Sequence, residues 1–126
     1  MASLDVPDGL ERFRYFAGNG PDIVGVSADE YWMIECKGLG AGQSSTHRNN
    51  FDLALASAVS YYEECIDEWP ELKPIIGLAL PDAPDFRRLL KSKVRKSLRS
   101  RLNLWVLLYK PTNKSIVPFE PSADIN

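Results

Sequence analysis

Cysteine is scarce in this sequence. Cys36 and Cys65 are the only two, in a strand-like and a helix-like segment, and they offer neither a disulfide framework nor zinc-ligand spacing. Reduced thiols in a cytoplasm are the expectation. No run approaches the ~18 apolar residues that a membrane span requires, so a soluble chain is expected and membrane partners are not. The opening MASLDVPDGLERF lacks the basic region and apolar core of a secretory signal. Internal repeats, low-complexity tracts and linkers are also missing. One domain spanning 1–126 is therefore expected, with a Pro-rich tail over 111–126 read as extended and partly mobile. A chain of 126 residues buries roughly two-thirds of its unfolded surface, enough for a real core.

Charge is unevenly distributed. The net charge is −2, yet RRLLKSKVRKSLRSR at 87–101 holds eight of the fifteen Lys and Arg and no acid. The remainder carries seven bases against seventeen acids, a balance of −10. Such segregation is the electrostatic footprint of a protein that meets a polyanion, although basic helices are often only solvated faces.

Elements follow from periodicity. LERFRYFAG at 10–18 reads as a strand or the end of a helix. PDIVGVS and EYWMIECKG form two strands about a tight connection at Ala28-Asp29. A Gly/Ser-rich loop, GLGAGQSSTHRNN, leads to a helix from about Phe51 to Glu68, capped by Asn49 or Asn50. Its apolar stripe is Phe51, Leu55, Ala58, Val59, Tyr62, Ile66 and Trp69. KPIIGLALP at 73–81 suits a strand buried on both faces. The basic segment follows as a second helix with Asp85 as its N-cap, and LNLWVLLYK at 102–110 closes the fold as another buried strand. Hairpin, helix, strand, helix, strand imply an α/β fold with a central mixed β-sheet flanked by α-helices.

The hairpin concentrates the chemistry. Four Pro-Asp pairs occur, and of these only Pro21-Asp22 precedes such a hairpin. Folding the strands about Ala28-Asp29 makes facing positions sum to 57, which sets Asp22 across from Glu35. Directly opposed residues have Cβ atoms about 4.5–5.5 Å apart, close enough for one divalent cation to bridge both carboxylates. Alternation turns Glu35 and Lys37 to the same face as Asp22, and Trp32, Ile34 and Cys36 to the other, where they pack in the core. Magnesium takes oxygen ligands in octahedral geometry, with one or two carboxylates, waters and a substrate phosphate. Asp22, Glu35 and the Cys36 backbone carbonyl supply the protein's share. Deprotonating an ordinary lysine at pH 7 costs roughly 4–5 kcal/mol. A charged Lys37 that orients water and stabilises developing negative charge is thus preferred, with general base as the second choice.

Pro21-Asp22, then Glu35-Cys36-Lys37 on the next strand, resembles the PD-(D/E)XK phosphodiesterase superfamily, the restriction-endonuclease-like nucleases. The similarity spans about 12–109. It implies Asp22 and Glu35 as metal ligands, Lys37 as the catalytic lysine, Mg²⁺ or Mn²⁺ as cofactor, and hydrolysis leaving a 5′-phosphate and a 3′-hydroxyl. Some members place a glutamine beyond the lysine, and Gln43 is the candidate. Many relatives add an acid from an opening helix, a place for which only Glu11 is a candidate here. No DNA-recognition subdomain is recognisable, so sequence-specific cleavage is not implied.

Under that resemblance nucleic acid is the expected partner, DNA before RNA. Arg48, placed with His47 before a helix N-terminus that favours phosphate, is a candidate backbone contact, while the lone His47 reads as a loop residue. In the basic helix Leu89, Leu90, Val94, Leu98 and Leu102 make the buried stripe, leaving Lys91, Arg95, Lys96 and Arg99 outward for phosphates. Tyr61 and Tyr62 read as core or subunit contacts, and the tryptophans as core. A homodimer would give so small a domain more surface for gripping a duplex. The alternative function is a catalytically inactive module of the same fold that binds nucleic acid or a protein partner. A small-molecule hydrolase is disfavoured by the absence of a Ser or Cys nucleophile motif.

Overall fold

A computed structural model describes residues 12–15, 22–26, 30–38, 44–63 and 74–126. Its strands are β1 (Arg12–Tyr15), β2 (Ile23–Val26), β3 (Tyr31–Cys36), β4 (Ile75–Pro81), β5 (Leu104–Lys110) and β6 (Ser115–Phe119). The helices are α1 (Ser44–Val59), which runs into a 3-10 turn at Ser60–Glu63, α2 (Pro84–Lys93) and α3 (Lys96–Leu102). The strands form one six-stranded sheet in chain order, antiparallel from β1 to β3, parallel from β3 to β5, and antiparallel again at β6. This is the expected α/β architecture with a mixed sheet and helices packed on it. No helix among the described residues is long and apolar enough to cross a membrane.

Two parallel crossovers in succession dictate the layering. Each β–α–β connection has the same preferred hand, so strands added in one direction put their helices on one side. The main core fills that side. Phe51 and Ala58 from α1, Phe86 and Leu90 from α2, and Ile76, Leu78, Val106 and Leu108 from the parallel strands are all at most 1% exposed. Burying one such phenylalanine contributes roughly 2–3 kcal/mol. The opposite face carries a smaller cluster of Ile23, Trp32, Ile34 and Leu107, with Trp32 meeting Trp105 edge-on at 5.1 Å between ring centroids. Among the described residues no helical side chain joins it. Trp32, Ile34 and Cys36 thus face away from Glu35 as expected, but the larger core lies on the Glu35 side.

Four sequence expectations need correction. The first helix starts at Ser44, so the tract read as a loop from Ser44 onward is helical, and Asn49 and Asn50 are interior rather than caps. Its inward stripe runs through Phe51, Ala54, Ala58 and Tyr61, leaving Val59 46% exposed; the remainder of the expected helix, beyond Glu63, lies outside the described residues. The basic segment is two helices separated at Val94 and Arg95, and Ala83 is the N-cap of α2, with Pro84 at its first position and Asp85 in its first turn. An acid there still complements the positive end of the helix dipole. Finally, the tail belongs to the fold: β6 pairs along β5, Pro118 lies opposite Leu107, and Ile125 is 7% exposed in the main core.

Candidate active site

The β2–β3 pairing has the register expected from the sequence: Ile23 faces Ile34 and Val24 faces Met33, so one step outward Asp22 faces Glu35. Asp22 Oδ2 accepts the Cys36 backbone N–H at 2.8 Å, which ties the carboxylate to the end of β3. Lys37 continues the sheet, donating its N–H to the Ala79 carbonyl at 3.0 Å. Asp22, Glu35 and Lys37 therefore come together at the carboxyl end of β3. In open α/β sheets that end is where ligands usually bind.

Glu35 is the most perturbed group of the set. Burial comes first in raising its pKa to about 7, followed by a hydrogen bond and like-charge repulsion from Asp22. Tyr61 and Lys37 act in the opposite sense, favouring the carboxylate. The Tyr61 hydroxyl donates to Glu35 Oε2 at 3.0 Å. Two carboxyl groups within hydrogen-bonding reach, one of them partly buried, retain a proton toward neutrality. Burial, then the charges of Asp22 and Glu35, push the Cys36 thiol up to about 12. It stays protonated and is no nucleophile. Among the described residues no third His, Cys, Asp or Glu completes a metal-binding group. Glu11 and Gln43 lie outside the described residues.

Tyr61 is the site residue that sequence reasoning missed. Phasing the α1 stripe through Phe51, Ala54 and Ala58 leads to it at helical spacing, whereas the stripe drawn through Leu55 and Val59 led to Tyr62.

The proposed phosphate contacts divide sharply. Arg48, Lys91 and Arg95 are exposed, but Arg48 sits within α1 and not before its N-terminus, so the helix-end amides do not flank it. Lys96 is exposed with its Nζ 3.0 Å from Asp124 Oδ1. Arg99 is 3% exposed and faces inward, contrary to expectation. Its guanidinium donates to the carbonyls of Val94 at 3.2 Å, Glu120 at 3.5 Å and Ala123 at 2.7 Å. Arg87, Arg88 and Lys93 pair with Asp82, Asp85 and Asp52 respectively. Much of the basic segment's charge is thus matched inside the chain. His47, read as a loop residue, is instead a half-buried helical residue whose Nδ1 lies 2.8 Å from Asp85 Oδ2, joining α1 to α2.

No protein-family model and no curated protein matches the chain. A crystal structure of an XisH family protein from Nostoc punctiforme PCC 73102 shares its fold, with a TM-score of 0.50 and 17% sequence identity. The likeness covers 75% of this chain and 70% of that one, and at this identity it is a likeness of fold.

Proposed function

We propose that this chain is a metal-dependent nuclease hydrolysing nucleic-acid phosphodiester bonds, DNA before RNA. One observation carries the reading: Asp22 and Glu35 stand opposite each other at the end of the β2–β3 ladder, with Lys37 two residues beyond. The donor set fits a hard dication, since Asp22, Glu35 and the Cys36 backbone carbonyl are all oxygen ligands. Bound there, Mg²⁺ or Mn²⁺ would lower the pKa of a coordinated water and offset charge on the phosphate. The side chains do the rest. Asp22 and Glu35 would hold the cation against which the scissile phosphate docks, and the Lys37 ammonium orients the attacking water and stabilises the negative charge that develops. In-line attack leaves a 5′-phosphate and a 3′-hydroxyl. The restriction-endonuclease-like resemblance of the hairpin and the fold shared with the XisH family protein both agree with this reading.

A second reading has its own support. A fold-keeping module without catalysis is favoured by the internal pairing of the basic segment. Cleavage of plasmid and oligonucleotide substrates in Mg²⁺ or Mn²⁺ separates the two. The nuclease reading expects cutting by the wild type and its loss, with DNA binding kept, in Glu35→Ala and Lys37→Ala. Absence of both cutting and Mn²⁺ binding in the wild type leaves the module.

A further inference from the structure

We propose that Tyr61 is a positioning residue that makes Glu35 a one-oxygen ligand and so sets which dication the site prefers; this rests on the metal reading above. The observation is the hydrogen bond from the Tyr61 hydroxyl to Glu35 Oε2 at 3.0 Å. Tyr61 comes from the 3-10 turn at Ser60–Glu63, 26 residues beyond Glu35 in the chain, and its ring is 6% exposed within the main core. A hydroxyl on a ring fixed by packing is a rigid donor. It holds Oε2 in place and leaves Oε1, on the side chain that also meets Asp22, as the oxygen without that donor.

Asp22 is held in the same way. Its Oδ2 accepts from the Cys36 N–H at 2.8 Å, which leaves Oδ1. Two carboxylates, each with one oxygen engaged by the protein, present two single-oxygen ligands. Small octahedral cations accept such ligands and fill the remaining positions with water and phosphate. Calcium, with six to eight ligands and a liking for two-oxygen carboxylate contacts, does not gain from them. Groups that orient a metal's direct ligands typically change its affinity about 10–100-fold when removed.

Tyr62 provides an internal control. It follows Tyr61 in the same turn, and among the described residues its buried hydroxyl has no hydrogen-bond partner. Removing that hydroxyl therefore takes nothing from Glu35.

The test compares Mn²⁺ and Ca²⁺ dissociation constants by calorimetry for wild type, Tyr61→Phe and Tyr62→Phe. Tyr61→Phe is expected to bind Mn²⁺ about tenfold or more weakly and Ca²⁺ with a smaller loss, narrowing the preference between them. Tyr62→Phe keeps the wild-type values. Should Tyr61→Phe melt at a lower temperature, the ratio of the two constants measured below the transition still decides, because partial unfolding weakens both ions alike. An unchanged ratio in Tyr61→Phe overturns the proposal while leaving the metal site intact. A wild type that binds neither ion removes the metal reading itself and this inference with it, a result visible before any substitution is made.

Discussion

Arg99 donates to the Ala123 carbonyl at 2.7 Å, and that bond fastens the last residues of the fold to α3. Its other contacts, to the Val94 and Glu120 carbonyls, are also to backbone oxygens, so the buried cation has hydrogen bonds but no carboxylate among them. Burial lowers its pKa, with Asp124 partly opposing. Arg99→Ala leaves those carbonyls short of a donor and is expected to cost about 3 kcal/mol in urea unfolding. DNA affinity measured below the unfolding transition should not change, because the guanidinium is turned inward onto backbone carbonyls.

Lys91 and Arg95 behave differently. Both are exposed, and among the described residues neither forms an ion pair. If they touch phosphates, each Ala substitution flattens the slope of log affinity against log salt by ~1. Unaltered slopes in both variants would place the nucleic-acid surface elsewhere on the molecule.

Glu35 makes stability depend on pH. The unfolded side chain loses its proton near 4.5, whereas the folded one keeps it to about 7. Over that interval the native state binds more protons than the unfolded chain, so the group's contribution is full below 4.5, declines as pH rises to about 7, and is flat above. Glu35→Gln removes the dependence. Relative to wild type it should gain on the order of 1 kcal/mol at pH 8 over its value at pH 4.5, allowing for solvent screening. A pH-independent difference between the two proteins in metal-free urea titrations contradicts this. By the same linkage, Mn²⁺ affinity should fall up to about tenfold per unit below neutrality.

Gly77 in β4 is sterically constrained. A methyl group added there would lie 3.3 Å from Ile34 Cγ1, and Ile34 is 2% exposed, locked between neighbouring strands. Gly77→Ala is expected to lose about 1–3 kcal/mol through overpacking. A midpoint equal to or above wild type in thermal unfolding would show that Ile34 can yield.

What could be read from the residues alone was local and periodic. The β2–β3 register emerged from the turn centred on Ala28-Asp29, and alternation along the strands agreed with it, because slipping by one residue would have turned Trp32 and Ile34 to the other face. Beginnings and faces of helices were harder. The start of α1 is a run of Ser, Thr and Asn, residues that favour caps and turns, and they are helical here beside His47, which is held by Asp85 from 38 positions away. Nothing near Val94 and Arg95 marks the break between α2 and α3, as neither Gly nor Pro is present. Arg99 reads as a solvated cation until carbonyls 21 and 24 residues later close around it. Tyr61 likewise acquires a role through a partner on a distant strand.

Pro118 does more than fill a position in β6. Among the described residues that strand is the margin of the sheet, and its outer edge is where a neighbouring molecule would add a strand of its own. Proline offers no amide hydrogen, so a ladder begun at this border lacks a donor one residue before the strand's end. The strand at this margin therefore also offers a poor template for pairing with a further strand.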